Sequence, residues 1–144
     1  MKLIATLGYA GLLPFALLPL AYHMQWATSS AQLLQLYQLY SALILGFMAG
    51  VLWPVLYSQQ HTAAENKLAL LAVSFPVISI ISLALWPGHF LLLQAILFLL
   101  LRVTEYSSSI NQRYPPSYRS LRNALTLVVC LSHLLMFALI NMPR

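Results

Sequence analysis

Five long apolar stretches dominate this chain of 144 residues and leave little sequence between them. A helix needs roughly 20 consecutive apolar residues to cross the hydrocarbon core of a bilayer. Hydrocarbon offers the backbone no hydrogen bonds, so the chain must satisfy them internally, as an α-helix does. The pattern therefore predicts one all-α domain over residues 1–144, a polytopic bundle of five transmembrane helices. The helices are expected over about residues 3–22, 33–56, 68–86, 89–106 and 118–142.

Charged residues are too sparse to build a surface that faces water. Only 6% of the residues are charged and 61% are hydrophobic, whereas a soluble domain carries about 25% charged residues. The formal net charge of +5 does not indicate nucleic-acid binding, because a stripe of Lys and Arg is lacking. We expect the positive charges at the helix ends to face membrane lipids instead.

The distribution of Lys and Arg predicts the orientation of the bundle, because cytoplasmic loops are enriched in both residues. Five spans place the termini on opposite sides, and six of the seven basic residues then share the side of the N-terminus. These six are Lys2, Lys67, Arg102, Arg113, Arg119 and Arg122, with Arg144 on the other side. We therefore predict a cytoplasmic N-terminus and a periplasmic C-terminus.

Small residues indicate where helices pack closely. Ala42, Gly46 and Gly50 recur every four residues along the second predicted helix, and Gly8 and Gly11 form a smaller patch on the first. Small side chains on one helix face allow a neighbouring backbone to approach and gain dispersion contacts. The spacing fits a contact within the chain or a dimer interface, and we favour the internal contact because five helices must pack together.

A group of charged residues is predicted at the cytoplasmic end. Arg102 and Glu105 lie near the end of the fourth helix, and Arg119 and Arg122 near the start of the fifth. Antiparallel neighbours bring these residues to the same depth, and a charge near lipid is costly unless it is paired. We expect Glu105 to pair with Arg122 or Arg119 and to pin the two helices. The functional alternative is an anion or lipid-headgroup site that includes the three arginines and Tyr118.

His133 lies near the middle of the fifth predicted span. A titratable group at that depth is a functional-site hypothesis, here a proton relay. A relay needs a second group to exchange the proton, and the sequence places no acidic or basic residue at that depth. We therefore favour a neutral, hydrogen-bonded histidine, with Ser74, Ser79 and Ser82 of the third helix as candidate partners.

Known catalytic and metal-binding patterns do not occur in the sequence. The chain contains no Asp, and its two Glu residues lie on the cytoplasmic side, away from His133, which argues against a Ser-His-acid set. Cys130 is the one cysteine and cannot form an internal disulfide. His23 and His89 near the outer interface are a weak signal for a metal or haem. We expect no enzymatic activity, no metal and no cofactor.

Several short motifs resemble a known family of small bacterial and mitochondrial membrane proteins. The run over residues 7–15, LGYAGLLPF, is similar to the start of that family, which includes transmembrane protein 69. The other similar positions are Tyr40, Ile44, Leu45, Phe47, Gly50 and Trp53 on the second helix, Ser74 and Pro76 on the third, and residues 118–122 with Leu125 and Thr126 on the fifth. Leu52 and Pro54 depart from the His and Gly that often flank that Trp in the family. The resemblance implies a five-helix bundle in an energy-conserving membrane and adds no reaction.

These observations predict an integral protein of the bacterial inner membrane. We expect it to support envelope or membrane-complex function without enzymatic activity, by binding lipid, another membrane protein or a second copy of itself. The alternative is a small proton, ion or small-molecule transporter or channel component, for which the motivation is His133 together with the helices that proline is expected to kink.

Overall fold

The computed structural model describes residues 2–26, 29–52, 63–108 and 110–143, with the backbone alone at 63–65. Within these ranges the secondary structure is helical and contains no strand. The helices are α1 (Lys2–Ala10), α2 (Leu13–Met24), α3 (Ser30–Ala49) with a 3-10 turn (Gly50–Leu52), α4 (Ala63–Leu85), α5 (Phe90–Ser107), α6 (Ile110–Arg113) and α7 (Pro116–Ile140).

Five helical segments in the described ranges are long and apolar enough to cross a membrane. They are Lys2–Met24, Ser30–Leu52, Asn66–Leu85, Phe90–Ser107 and Pro116–Ile140. The predicted all-α bundle with five membrane helices is therefore confirmed.

Some helix limits differ from those predicted. The fifth helix begins at Pro116 rather than at 118, because proline is accepted in the first turn, where its missing N–H has no helical partner. α4 begins at Ala63 rather than at 68, since Ala, Glu and Lys favour a helix beyond the apolar stretch. The last residues of the second predicted helix, 53–56, lie outside the described residues, and so does Arg144.

The first span, predicted over residues 3–22, is interrupted by a turn. A turn at Gly11 and Leu12 separates α1 from α2, and a proline follows in the first turn of α2. The Tyr40 hydroxyl of α3 donates a hydrogen bond to the Gly11 carbonyl at 2.8 Å. A side chain from a neighbouring helix thus satisfies a backbone group at the break, as a membrane interior requires.

The buried core lies between the helices, and large apolar side chains cover the outside. Tyr37 of α3 and Phe90 and Phe98 of α5 are the largest fully buried side chains. By contrast, Phe47 is 80% exposed and Leu70 69% exposed, on α3 and α4. Apolar side chains that face outward are stable where the surrounding solvent is hydrocarbon.

The small residues of the second span, Ser30–Leu52, pack against another helix at one position and meet no described atom at another. A Cβ atom added at Gly46 would lie 3.3 Å from Cβ of Pro76 in α4, so the glycine allows these helices to approach closely. Ala42, one turn away, is buried. A Cβ atom added at Gly50 would meet no atom of the described residues within 4 Å. On α1, a Cβ atom at Gly8 would lie 3.1 Å from the Leu121 side chain of α7.

A matched pair of substitutions on α3 tests this contact. Gly46→Leu should destabilise the protein by about 1–3 kcal/mol, because the added side chain forces α3 away from Pro76. Gly50→Leu, whose added side chain meets no described atom at Cβ, should change stability by less than about 0.5 kcal/mol. Denaturant unfolding in detergent micelles measures both values. Equal losses in the two variants would contradict the predicted contact between α3 and α4.

Candidate functional site

A buried ionic cluster joins the end of α5 to the start of α7. Glu105 is completely buried, and its carboxylate accepts a hydrogen bond from Arg102 Nη1 at 2.7 Å and another from Arg122 Nη2. Arg102 and Arg122 are themselves 6% and 2% exposed. We refer to these three residues as the Arg–Glu–Arg cluster. Of the two arginines expected as partners of Glu105, the structure brings Arg122 to the carboxylate and places Arg119 elsewhere.

Neighbouring polar groups hold the cluster in place. Arg102 Nε donates to Asn123 Oδ1 at 2.8 Å, and its guanidinium lies 4.3 Å from the centre of the Tyr106 ring. The Tyr106 hydroxyl also donates to Asn123, at 3.0 Å. The Tyr114 hydroxyl donates to Glu105 Oε1 at 3.3 Å. These contacts fix the guanidinium and carboxylate planes, which a buried ion pair needs if it is to offset its desolvation.

The cluster contains two cations and one anion, so it keeps an excess positive charge. Arg122 Nε is buried and has no hydrogen-bond partner among the described residues. The excess positive charge of the cluster favours nearby anions, for which arginine offers several fixed N–H donors. The cluster can therefore pin α5 to α7 and also attract negative charge to this end of the bundle.

Arg119 and Tyr118, the other predicted members of the site, lie beside the cluster. Arg119 is half-buried and donates from Nε to the Tyr114 carbonyl at 3.0 Å. The Tyr118 ring packs edge-on against the Tyr114 ring, with 4.8 Å between centres. Both residues thus hold the segment between α6 and α7 against the start of α7.

Sequence reasoning missed three members of this site, namely Tyr106, Tyr114 and Asn123. One signal was available for Tyr106, because it follows Arg102 by one helical turn and so lies on the same face of α5. Asn123 and Tyr114 reach the cluster only through the packing of α7 and the preceding segment on α5, which leaves no local pattern.

His133 lies in the core of the bundle and is completely buried. Its Nδ1 lies 2.7 Å from the Val129 carbonyl, one turn back on α7, and its Nε2 lies 2.5 Å from Ser41 Oγ of α3. A carbonyl only accepts, so Nδ1 donates, and in the neutral ring Nε2 accepts from the serine hydroxyl. The rings of Phe15, Tyr37 and Phe98 surround the imidazole, with centres 5.6, 5.1 and 5.5 Å away.

The prediction that His133 bonds to a serine of the third predicted helix was wrong. Ser74 and Ser82 donate to carbonyls of their own helix, α4, and Ser79 donates to Gln94 Oε1 of α5 at 2.8 Å. The structure places α3 rather than α4 beside this face of α7, so Ser41 supplies the hydrogen bond. The sequence could not show this, because it does not state which helices are neighbours.

A second polar link lies next to the histidine and joins three helices. Ser132 Oγ of α7 donates to the Phe15 carbonyl of α2 at 2.6 Å. The Tyr37 hydroxyl of α3 lies 2.7 Å from the same Ser132 oxygen and donates to it. We refer to Tyr37, Ser41, Ser132 and His133 as the polar core. Its hydrogen bonds connect α2, α3 and α7 at a depth where water is not available to replace them.

The remaining candidate ligands lie apart from both sites. His23 and His89 are exposed, and the buried Cys130 thiol lies 3.5 Å from the Ala95 carbonyl. Among the residues that the structure describes, no group of three or more His, Cys, Asp or Glu side chains could hold a metal ion.

Fold and site together define the class of this protein. It is a multi-pass α-helical membrane protein with an ionic cluster at one end and a polar core between its helices. A family model described as "Protein of unknown function (DUF3429)" matches residues 1–138, and the chain belongs to that family. No curated protein and no solved structure matches the chain. The narrower resemblance to transmembrane protein 69 stays a prediction.

The Arg–Glu–Arg cluster predicts a large effect of one neutralising substitution. Glu105→Gln should destabilise the protein by about 3–5 kcal/mol, because it leaves two buried guanidinium groups without an anion. Lys67→Gln, at an exposed residue of α4, is the control and should change stability by less than about 0.5 kcal/mol. Thermal or denaturant unfolding in detergent measures the difference. Similar stabilities of Glu105→Gln and Lys67→Gln would show that the cluster does not pin the helices.

The polar core predicts a smaller loss of stability than the Arg–Glu–Arg cluster does. Ser41→Ala should destabilise the protein by about 1–3 kcal/mol, because it leaves His133 Nε2 buried without a donor. Ser74→Ala removes a hydroxyl that bonds its own helix backbone, and should change stability by less than about 0.5 kcal/mol. The same unfolding measurement compares the two variants. A Ser41→Ala variant as stable as the parent protein would contradict the proposed pairing.

Proposed function

We propose that this protein is a non-enzymatic component of the bacterial inner membrane that binds anionic lipid headgroups at its cytoplasmic end. The observation that carries the proposal is the concentration of positive charge at one end of the bundle. We call this the basic end, which contains Lys2, Lys67, Arg102, Arg113, Arg119 and Arg122 together with Glu65 and Glu105. Six basic and two acidic residues leave four excess positive charges there.

The course of the helices supports a shared end for these residues. Lys2 and Lys67 lie at the starts of α1 and α4, Arg102 near the end of α5, and Arg119 and Arg122 near the start of α7. Successive spans run in opposite directions, so the starts of the first, third and fifth spans meet the ends of the second and fourth. An excess of Lys and Arg at one end is typical of the cytoplasmic side of a membrane protein.

The accessibility of these side chains divides the basic end into two parts. Arg102 and Arg122 are buried with Glu105 and hold helices together. Lys2, Lys67 and Arg113 are exposed, and Arg119 is half-buried with its Nε anchored on the Tyr114 carbonyl. Exposed cations at a membrane surface attract anionic lipids by about 1 kcal/mol each.

A supporting role in envelope or membrane-complex function follows from this proposal. The wide lipid-facing surface also leaves room for a second membrane protein or a second copy of the chain. The alternative role, a transporter or channel component, relied on His133 and on the helices expected to be kinked by proline. Both ring nitrogens of this residue are bonded and three aromatic rings enclose it, which favours a packing role.

Lipid titration tests the proposed function. Phosphatidylglycerol added to the delipidated protein in neutral detergent should raise its melting temperature more than the same amount of phosphatidylcholine. The triple variant Lys2→Gln, Lys67→Gln, Arg119→Gln should bind phosphatidylglycerol about a hundredfold more weakly, given about 1 kcal/mol per cation.

Arg144→Gln is the matched control, because Arg144 lies at the opposite terminus. This variant should keep the full preference for phosphatidylglycerol. Equal stabilisation of the parent protein by the two lipids would overturn the proposal, and so would an equal loss of binding in the triple variant and the control.

A further inference from the structure

An apolar cavity of about 180 Å³ lies between the first span, α3 and α7. α1 contributes Leu7 and Gly8 to its lining, α3 contributes Ile44 and Phe47, and α7 contributes Leu125. The other lining residues are also apolar. The cavity belongs to neither the Arg–Glu–Arg cluster nor the polar core, although Phe15 separates it from His133.

The cavity exists because the first span supplies little side-chain volume at this level. Gly8 and Gly11 present no side chains to it, and α1 has no buried residue. The Leu121 side chain lies against Gly8 and occupies the adjacent space between α1 and α7. Leu7 is 62% exposed and Phe47 is 80% exposed, so both also face the surroundings of the bundle. The cavity is therefore accessible from the lipid-facing side.

The lining determines the chemistry of the occupant. An engineered cavity of about 150 Å³ lined by Leu, Ile and Phe in another protein stays dry and binds benzene. This cavity has a similar size and a similar lining, so hydrocarbon fits it and a polar ligand does not. The hydrocarbon available to a cavity that faces lipid is an acyl chain.

The depth of the cavity relates it to the basic end. Gly8 follows Lys2 by six residues on α1, a rise of about 9 Å at about 1.5 Å per residue. Leu125 lies at a similar distance along α7 from Arg119. The cavity thus begins about two turns deeper in the membrane than the cations. A lipid whose phosphate lies at the level of these cations has the upper part of its acyl chains at the level of the cavity.

We infer that the cavity holds the upper part of one acyl chain of an anionic phospholipid whose phosphate lies at the basic end, near Lys2. This inference rests on the proposed headgroup binding and adds a defined site for the lipid tail. The exposed cations select the charge of the headgroup, and the cavity fixes the position of one chain. A lipid bound at both points would hold α1 against α3 and α7, which its own side chains do only weakly.

Photo-crosslinking in nanodiscs tests the site directly. Phosphatidylglycerol with a diazirine on one acyl chain is incorporated with the full-length protein, illuminated, and the adducts are mapped by mass spectrometry. Adducts should be concentrated on Leu7, Phe47 and Leu125 relative to lipid-facing residues such as Leu70. Phosphatidylcholine with the same chain should give about fivefold fewer adducts at these positions, from about 1 kcal/mol for one cation.

Two neighbouring residues on α3 provide a matched pair of variants. Ile44→Trp fills the cavity and should abolish the concentrated adducts. Leu43→Trp adds the same ring outside the cavity, at a position where the native side chain is 67% exposed. It should leave the adducts unchanged. If Ile44→Trp does not fold, the distribution of adducts on the parent protein still tests the inferred acyl-chain site.

The outcomes separate the tail site from the headgroup proposal. Uniform labelling of all lipid-facing residues, with the preference for phosphatidylglycerol intact in the melting experiment, would overturn the tail site alone. Equal labelling of the cavity by both lipids would overturn the inference, since it removes the anionic selectivity on which both proposals depend. Protection of the cavity from both lipids would show that protein covers it, from a second copy or another part of the chain, and would also overturn the inference.

Discussion

Hydrocarbon offers no hydrogen bonds, and this constraint explains the position of nearly every buried polar side chain described above. The buried Ser82 and the half-buried Ser74 return their hydroxyls to carbonyls of their own helix, α4. Where a polar group faces another helix instead, it commonly meets a partner, as in the pair of Ser41 and His133. Among the described residues, Gln94 Nε2, Asn111 Oδ1 and Arg122 Nε are buried without one. Hydrogen bonds between polar side chains inside the bundle therefore stabilise the fold, because an unpaired polar group is costly at this depth.

The two buried polar groups hold different parts of the bundle. The Arg–Glu–Arg cluster joins α5 to α7 at the basic end, and the polar core joins α2, α3 and α7 deeper in the membrane. α7 takes part in both and so connects the two halves of the fold. Separating the partners of a buried ion pair leaves an uncompensated buried charge, which is costly. In this bundle Arg122 of α7 points at Glu105 of α5, and a rotation of α7 that turned Arg122 away would carry that cost.

The first span is attached less firmly than the others. α1 has no buried residue, and a turn at Gly11 separates it from the better-packed α2. The same two features leave room for the apolar cavity. The end of the cavity nearest to the basic end lies within about two helical turns of Lys2. On our proposals, a lipid bound by charge at the surface and by its chain below would complete the packing of this helix. Lipid would then serve as part of the structure.

The sequence by itself determined the class of fold, because the length and polarity of a membrane helix are local properties of the chain. It also placed Arg102, Glu105, Arg119 and Arg122 at one depth, because depth follows from distance along a helix. Only the tertiary structure decided that Glu105 meets Arg122 and that Ser41 meets His133. Those choices depend on which helices are neighbours and how each is rotated about its axis. Both are set by packing among all the helices at once, which no single segment records.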